Sequence, residues 1–394
     1  METVRDRFLR YVKYDTQADG SSGARPSSTG QTVFAELLVS EAAALGLSDV
    51  AIEDGVVYAR LPGSARRANT VGFIAHMDTS PDASGKGVSP RVLRYDGGEV
   101  PLGGGLALSP DEFPELSRYA GQEIIVTDGT TLLGADDKAG VAEIMTALDF
   151  LIANPGVPRG DISVAFTPDE EIGEGADGFD YGRFGADFAY TIDGGGLGEL
   201  NYECFNASKA VVTFVGKSVH PGSAKGVMVN AAQLAAEFAS SPPKDERPET
   251  TDALEGFYHI HEISGNVERA RVELIIRDFD ADALRLRERF VLDTAKALGG
   301  TAVITPQYRN MAVALTERPQ AAELAERAYA AVGVTPDVQP IRGGTDGARF
   351  CEDGLPCPNI FTGGHNFHGP FEYIAVPSME TAVRVIVKIA ELAD

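Results

Sequence analysis

The chain has 394 residues, of which 43% are apolar and 23% charged, a balance typical of globular proteins and long enough for two domains. The formal charge is −24 at pH 7, with 34 Lys and Arg against 58 Asp and Glu, which argues against nonspecific nucleic-acid binding because phosphates need an excess of cations. The first seven residues hold no apolar signal-peptide core, and no apolar run reaches the roughly 20 residues that span a bilayer, so a cytoplasmic location with no membrane partner is expected. Cys204, Cys351 and Cys357 lack paired spacing, which predicts reduced, mostly buried thiols.

Val4, Phe8, Leu9, Tyr11 and Val12 fall at helical spacing within residues 2–14, and Val33, Phe34, Leu37, Leu38 and Leu45 do so within 29–45. The Gly/Ser-rich stretch 19–30 between them reads as a surface loop. Residues 50–60 read as a hairpin turning at Asp54-Gly55. The apolar run 71–75 is the first long strand and delivers His76. Residues 79–131 read as a loop-rich excursion, heavy in Gly and Pro and too long to be idle, that shapes a pocket wall. Residues 133–153 start polar at Asp136-Asp137 and continue as a helix through Val141, Ile144, Met145, Leu148 and Leu151. The two aspartates then sit at a helix N-terminus, where the dipole and unpaired N–H groups favour carboxylate charge. Strands at 162–167 and 188–192 lead to Asp169-Glu170-Glu171 and Asp193.

The interval from Asp193 to His368 is too long for one crossover and has strand patterns at 210–215, 271–276 and 301–305, with helices at 227–240 and 282–298. Residues 206–313 are therefore predicted to be a domain inserted into one formed by 1–205 and 314–394. The main domain resumes with a helix at 321–332, a turn at 342–347, a strand at 359–362 and a closing helix at 378–392. The fold class is α/β: a main catalytic domain with a mostly parallel mixed sheet flanked by helices, plus a smaller inserted α+β lid domain. In such sheets the carboxyl ends of the strands form the ligand crevice.

Five polar segments stand where apolar runs end: His76-Met-Asp78, Asp136-Asp137-Lys138, Asp169-Glu170-Glu171, Asp193-Gly-Gly-Gly and Asn366-Phe-His368-Gly. Zinc takes His nitrogen and carboxylate oxygen, and a two-metal centre needs a bridging carboxylate. The predicted arrangement has Asp136 bridging, His76 and Asp193 on one metal, and Glu171 and His368 on the other. Asp78 can accept the second N–H of His76 and fix its orientation. Glu170 adjoins a ligand but points elsewhere, which suits a general base. Taken singly these segments read as a surface pair, a helix start and an N-cap. Their joint occurrence in this order beside apolar strands favours the metal site.

The stretches AHMDTSPD (75–82), LLGADDKAG (132–140), FTPDEEIG (166–173), VHPGSAKG (219–226), IRGGTDG (341–347) and PNIFTGG (358–364) resemble the di-zinc metallopeptidases that include carboxypeptidase G and the amino-acylases. The resemblance spans essentially the whole chain. It implies a cytoplasmic aminopeptidase that removes the N-terminal residue from tripeptides. It also implies two Zn2+ per subunit, with Co2+ or Mn2+ able to substitute, and it allows a homodimer. By the same resemblance Asp78 is the orienting catalytic residue and Glu170 the base. His368, directly before a Gly, is the ligand rather than His365, and the Asp136–Asp137 peptide is cis. Pro370 stands where the family commonly has Lys. His220 is implied to hold the carbonyl oxygen or substrate carboxylate as charge develops, and Asn230 resembles a polar substrate contact. Arg277 and Arg342 are candidates for a bidentate grip on the peptide's C-terminal carboxylate. A dipeptidase or an N-acyl amino-acid deacylase is the alternative within the family, and a metal-dependent binding protein that has lost turnover is the alternative outside it. His259 and His261 read as structural, and Lys138 as a surface charge.

Overall fold

The computed structural model describes residues 1–67 and 69–393. Two compact units emerge, one of Met1–Tyr202, Val313–Gln339 and Thr345–Asp394, the other of Glu203–Ala312 and Pro340–Gly344. Pro340–Gly344 joins the second unit because Arg342 donates to the carbonyls of Ala253, Glu255 and Thr251, and Phe205 N bonds to Ile341 O.

The first unit is built on an eight-stranded sheet in the order Ser48–Glu53, Val56–Leu61, Ile162–Thr167, Val71–His76, Phe188–Gly194, Asn359–Phe361, Glu199–Asn201, Asp337–Val338. The four strands from Ile162–Thr167 to Asn359–Phe361 run parallel. Strands covered on both faces read as nearly continuous apolar runs, and all six residues of Val71–His76 and of Ile162–Thr167 are buried. The predicted hairpin forms the edge, closing at Asp54 and Gly55 with φ of 48° and 81°, the left-handed pair that Asp-Gly turns adopt.

The helix Ala135–Ala153 lies against Val71–His76 and Phe188–Gly194 and is packed in turn by Val4–Tyr11 and Val376–Leu392. Covered on most sides, it is apolar around most of its circumference. Asp136 (φ −85°, ψ 106°) and Asp137 (φ −120°, ψ 33°) are not helical, so both stand just ahead of the regular helix, and the peptide bond between them is cis. Gly140 permits the close approach: a Cβ there would lie 2.0 Å from Ile192 O and 2.4 Å from Asp137 Oδ1.

Residues 79–131 are more ordered than their composition predicts. Arg91–Tyr95 pairs with Gln122–Val126, which pairs in turn with Tyr373–Ala375, and that strand pairs with Gly364–His365, to make a second antiparallel sheet. Tyr95, Leu116, Tyr119, Ile124 and Tyr373 form its separate core. Its strands are short and one is mostly exposed, so the alternation that marks a strand is weak.

The second unit is an antiparallel sheet in the order Phe257–Gly265, Arg269–Asp278, Asn206–Val215, Thr301–Tyr308, packed by the helices Ala231–Ala239 and Ala281–Ala297. Val212, Phe214, Leu274, Ile276 and Val291 are fully buried between them. All three cysteines are buried and outside disulfides. Among the described residues no helix is long and apolar enough to cross a membrane.

Alanine in place of glycine inside a helix ordinarily stabilises by roughly 0.5–1 kcal/mol. At Gly140 the sign should reverse: Gly140→Ala is expected to cost ~1–3 kcal/mol through overpacking against Ile192, read as a lower urea midpoint.

Candidate metal centre and active site

Each chemically active side chain sits at the carboxyl end of a parallel strand or on a loop leading from the sheets. His76 ends Val71–His76, Asp193 lies at the end of Phe188–Gly194, and Glu170 and Glu171 form a single 3-10 turn, Glu170–Ile172, just after Ile162–Thr167. Asp136 precedes the regular part of Ala135–Ala153, and His368 follows Gly364–His365.

These residues converge. His76 Nε2 is 2.8 Å from Asp136 Oδ1 and 3.6 Å from Asp193 Oδ1. His368 Nε2 is 3.1 Å from Asp136 Oδ2 and 3.0 Å from Glu171 Oε2. Asp136 thus directs one oxygen to each imidazole. Candidate ligand atoms of His76, Asp136 and Glu171 lie within 4.8 Å of one another, as do those of His76, Asp137 and Asp193. Asp137 is already engaged with backbone, its Oδ2 accepting from His76 N and its Oδ1 from Gly140 N, each at 3.1 Å.

The electrostatics are those of too much negative charge in too little water. Burial pushes Asp193 up to about 6 and Glu171 and Asp346 up to about 7, with neighbouring carboxylates adding to the shift. Burial also raises Glu170 well above the carboxylate range, and the charge of Asp346 raises it further. At Asp136 burial is outweighed by hydrogen bonds from His368 and His76, which hold its carboxyl below the usual range. Hydrogen bonds to Asp136 and Glu171 push His368 up to about 11. His76 is raised too, its carboxylate partners overcoming the opposing effect of burial. Imidazole nitrogens and carboxylate oxygens are the donor types that zinc takes, and the surplus of buried carboxylates fits a pair of divalent cations.

Asp78, 0% exposed, serves both sides of this cluster. Its Oδ1 is 3.2 Å from His76 Nδ1, within ion-pair range though off the line of a hydrogen bond. Its two oxygens also accept from Glu170 N and Glu171 N, each at 3.1 Å, which fixes the turn that presents both glutamates.

Three supporting roles were not read from the sequence. Asp169, with φ of 63°, accepts from Ser27 N at 2.9 Å, from Gln31 Nε2 at 2.7 Å and from the Ser27 hydroxyl, anchoring the glutamate turn. Ser27 and Gln31 are buried, so the end of the predicted surface loop and the first turn of the helix Thr29–Leu45 that follows it are part of the site's support. Asp346 accepts from Thr167 Oγ1 at 3.1 Å, at the end of the strand that leads to Glu170. Glu372 gathers backbone amides ahead of Asp136. Lys138 is a correction: it is 1% exposed, its Nζ donates to Tyr14 O at 2.8 Å, and burial lowers it to about 8. Its aliphatic stem suits an interior position that a surface reading overlooks.

The four predicted substrate contacts lie in the second unit. His220 is exposed, with Nδ1 accepting from Gly222 N at 3.1 Å. Asn230 caps Ala231–Ala239 by accepting from Gln233 N at 3.2 Å. Arg277 Nη1 donates to Arg342 O at 3.1 Å and its guanidinium lies over Phe257. Arg342 is engaged with the carbonyls of Thr251, Ala253 and Glu255.

His365 stands apart from the cluster. Its Nε2 is 2.6 Å from Tyr119 Oη, its ring stacks on Tyr373 at 4.9 Å, and burial lowers it to about 4 from 6.5. Between those values the unfolded chain binds a proton that the folded one refuses, so stability should fall as pH drops through that window. His365→Gln is expected to flatten this part of the curve, checked by urea unfolding between about pH 4 and 6.5.

Residues 126–392 match the sequence profile of peptidase family M20/M25/M40. The chain is 51% identical over 402 residues to Peptidase T from Clostridium perfringens, covering 100% of this chain and 99% of that one. Its structure resembles that of the aminopeptidase PepT from Bacillus cereus, with a TM-score of 0.77 at 24% identity, covering 98% of this chain and 97% of that one. It also resembles the Bacillus subtilis YXEP protein, described as a dinuclear metal binding peptidase, with a TM-score of 0.62 at 14% identity and coverage of 99% and 97%. The structural likenesses agree with the α/β fold. With a profile matched over most of its length and a relative half identical from end to end, the chain belongs to peptidase family M20/M25/M40.

Proposed function

We propose that the protein is a cytoplasmic aminopeptidase that hydrolyses the first peptide bond of tripeptides. In this reading His76 and Asp193 hold one zinc ion, Glu171 and His368 hold a second, and Asp136 joins them. The observation that carries it is the placing of Asp136, one oxygen at 2.8 Å from His76 and the other at 3.1 Å from His368. The peptidase T relatives support the substrate class, and a structural neighbour described as dinuclear supports the metal count. When bound, two such ions polarise the scissile carbonyl and acidify a water towards neutral pH, and Co2+ or Mn2+ can take their place.

Glu170 takes a proton from the attacking water as the carbon–oxygen bond forms, then gives it to the amine nitrogen as the carbon–nitrogen bond breaks. Its place on a turn fixed by Asp78, beside the proposed ligand Glu171, suits a group that shuttles a proton between two steps. Asp78 keeps His76 and the Glu170 turn in register. The second unit carries the proposed substrate contacts: His220 donates to the developing oxyanion, while Asn230, Arg277 and Arg342 contact the peptide. Of the two arginines, Arg342 is the more fully engaged with its own unit, so Arg277 is the better grip on a carboxylate.

A free tripeptide, its N-acetylated form and the matching dipeptide distinguish this reading from a dipeptidase or an N-acyl amino-acid deacylase. Release of the first residue from the free tripeptide alone, followed by mass, is the expected result, and cleavage of either other substrate instead would move the protein to those activities. Glu170→Ala is expected to lower kcat by at least ~10²–10⁴-fold with metal content at the wild-type level. Persistent turnover in that variant would show that another group is the base.

A further inference from the structure

We propose that Glu372 is a positioning residue that sets the shared carboxylate of Asp136 relative to His368; the inference rests on the metal centre proposed above. Glu372 is 1% exposed, and its two oxygens accept from four consecutive backbone amides. Oε2 takes Leu133 N at 2.6 Å and Gly134 N at 2.9 Å, and Oε1 takes Ala135 N at 2.6 Å and Asp136 N at 3.2 Å. Successive amides point at one anion only where the backbone curls into a concave nest, and Gly134, with φ of 81°, makes that curl. These N–H groups precede the regular helix and have no helical carbonyl to meet, so the carboxylate satisfies donors that would otherwise be orphaned in the interior.

The place of Glu372 in the chain gives the cradle its purpose. It lies just past His368 and directly before Tyr373–Ala375, a strand anchored to Gln122–Val126. The short loop between is closed by Asn366 Nδ2 donating to Phe371 O at 3.2 Å. One carboxylate therefore ties the segment that presents His368 to the segment that presents Asp136. The two segments meet a second time where His368 Nε2 comes within 3.1 Å of Asp136 Oδ2. Releasing Glu372 leaves the second contact without its support, and groups that orient ligands in this way typically change metal affinity by 10- to 100-fold when removed.

Glu372→Gln keeps the shape and one acceptor oxygen, while Glu372→Ala removes the cradle. Zinc affinity by chelator competition and the visible spectrum of the Co2+ form, alongside the far-UV spectrum and thermal midpoint of the metal-free proteins, test the role. The expected result is a graded loss in metal affinity, about 10- to 100-fold in Glu372→Ala and smaller in Glu372→Gln, with an altered Co2+ spectrum in both. The kcat should fall in the same order at nearly unchanged KM. Wild-type metal affinity and Co2+ spectrum in folded Glu372→Gln, with only the thermal midpoint lowered, would overturn positioning in favour of a purely structural cap. Wild-type protein that takes up no pair of ions would instead overturn the metal centre, and the positioning role with it.

Discussion

Carboxylates crowded together at the ends of the parallel strands are the constraint on which the rest of the structure depends. Asp136, Asp193, Glu170, Glu171 and Asp346 crowd around two imidazoles, His76 buried and His368 exposed, and burial together with mutual repulsion raises the proton affinity of every one of these carboxylates but Asp136. A second set of acidic groups, Asp78, Asp137, Asp169 and Glu372, is used differently. Each accepts backbone N–H groups and so fixes the course of the chain around the first set. The same residue types are thus candidate ligands or scaffolding according to whether their oxygens face each other or face amides.

That division explains why the surrounding fold is so tightly packed. Gly140 lets a helix touch a strand backbone, and the buried Lys138 places its ammonium on a main-chain carbonyl. A looser core would let the acidic groups move apart, lowering their repulsion and destroying their register. Close packing therefore holds a cluster that its own charges would disperse.

The parallel strands, the hairpin at Asp54-Gly55 and the convergence of His76, Asp136, Glu171, Asp193 and His368 were legible because each rests on a local signal: an unbroken apolar run, a turn dipeptide, or a polar residue at a strand end. Glu372 was not legible, because its partners are amides, which every residue carries, at positions more than two hundred residues earlier. Asp169 shares the difficulty, with its meaning residing in Ser27 and Gln31. The second sheet was missed for a related reason: Tyr373–Ala375 completes it from the far side of the inserted unit. Local pattern reveals what a residue can do chemically, whereas support is a property of long-range pairing.

The place of the second unit in the chain also bears on how the molecule is made. Asn359–Phe361, the fourth of the parallel strands, and both His368 and Glu372 come after Glu203–Ala312. As the chain leaves the ribosome, that unit has all four strands of its own sheet in hand before the first unit has the strand that extends its parallel sheet. A growing chain would then hold a folded module suspended between two halves of an unfinished one, with His76, Asp136, Glu171 and Asp193 already emerged and no His368 to join them. Hydrolytic competence would arrive late in synthesis, after the inserted module is available to keep the two halves near each other by shortening the loop that must close.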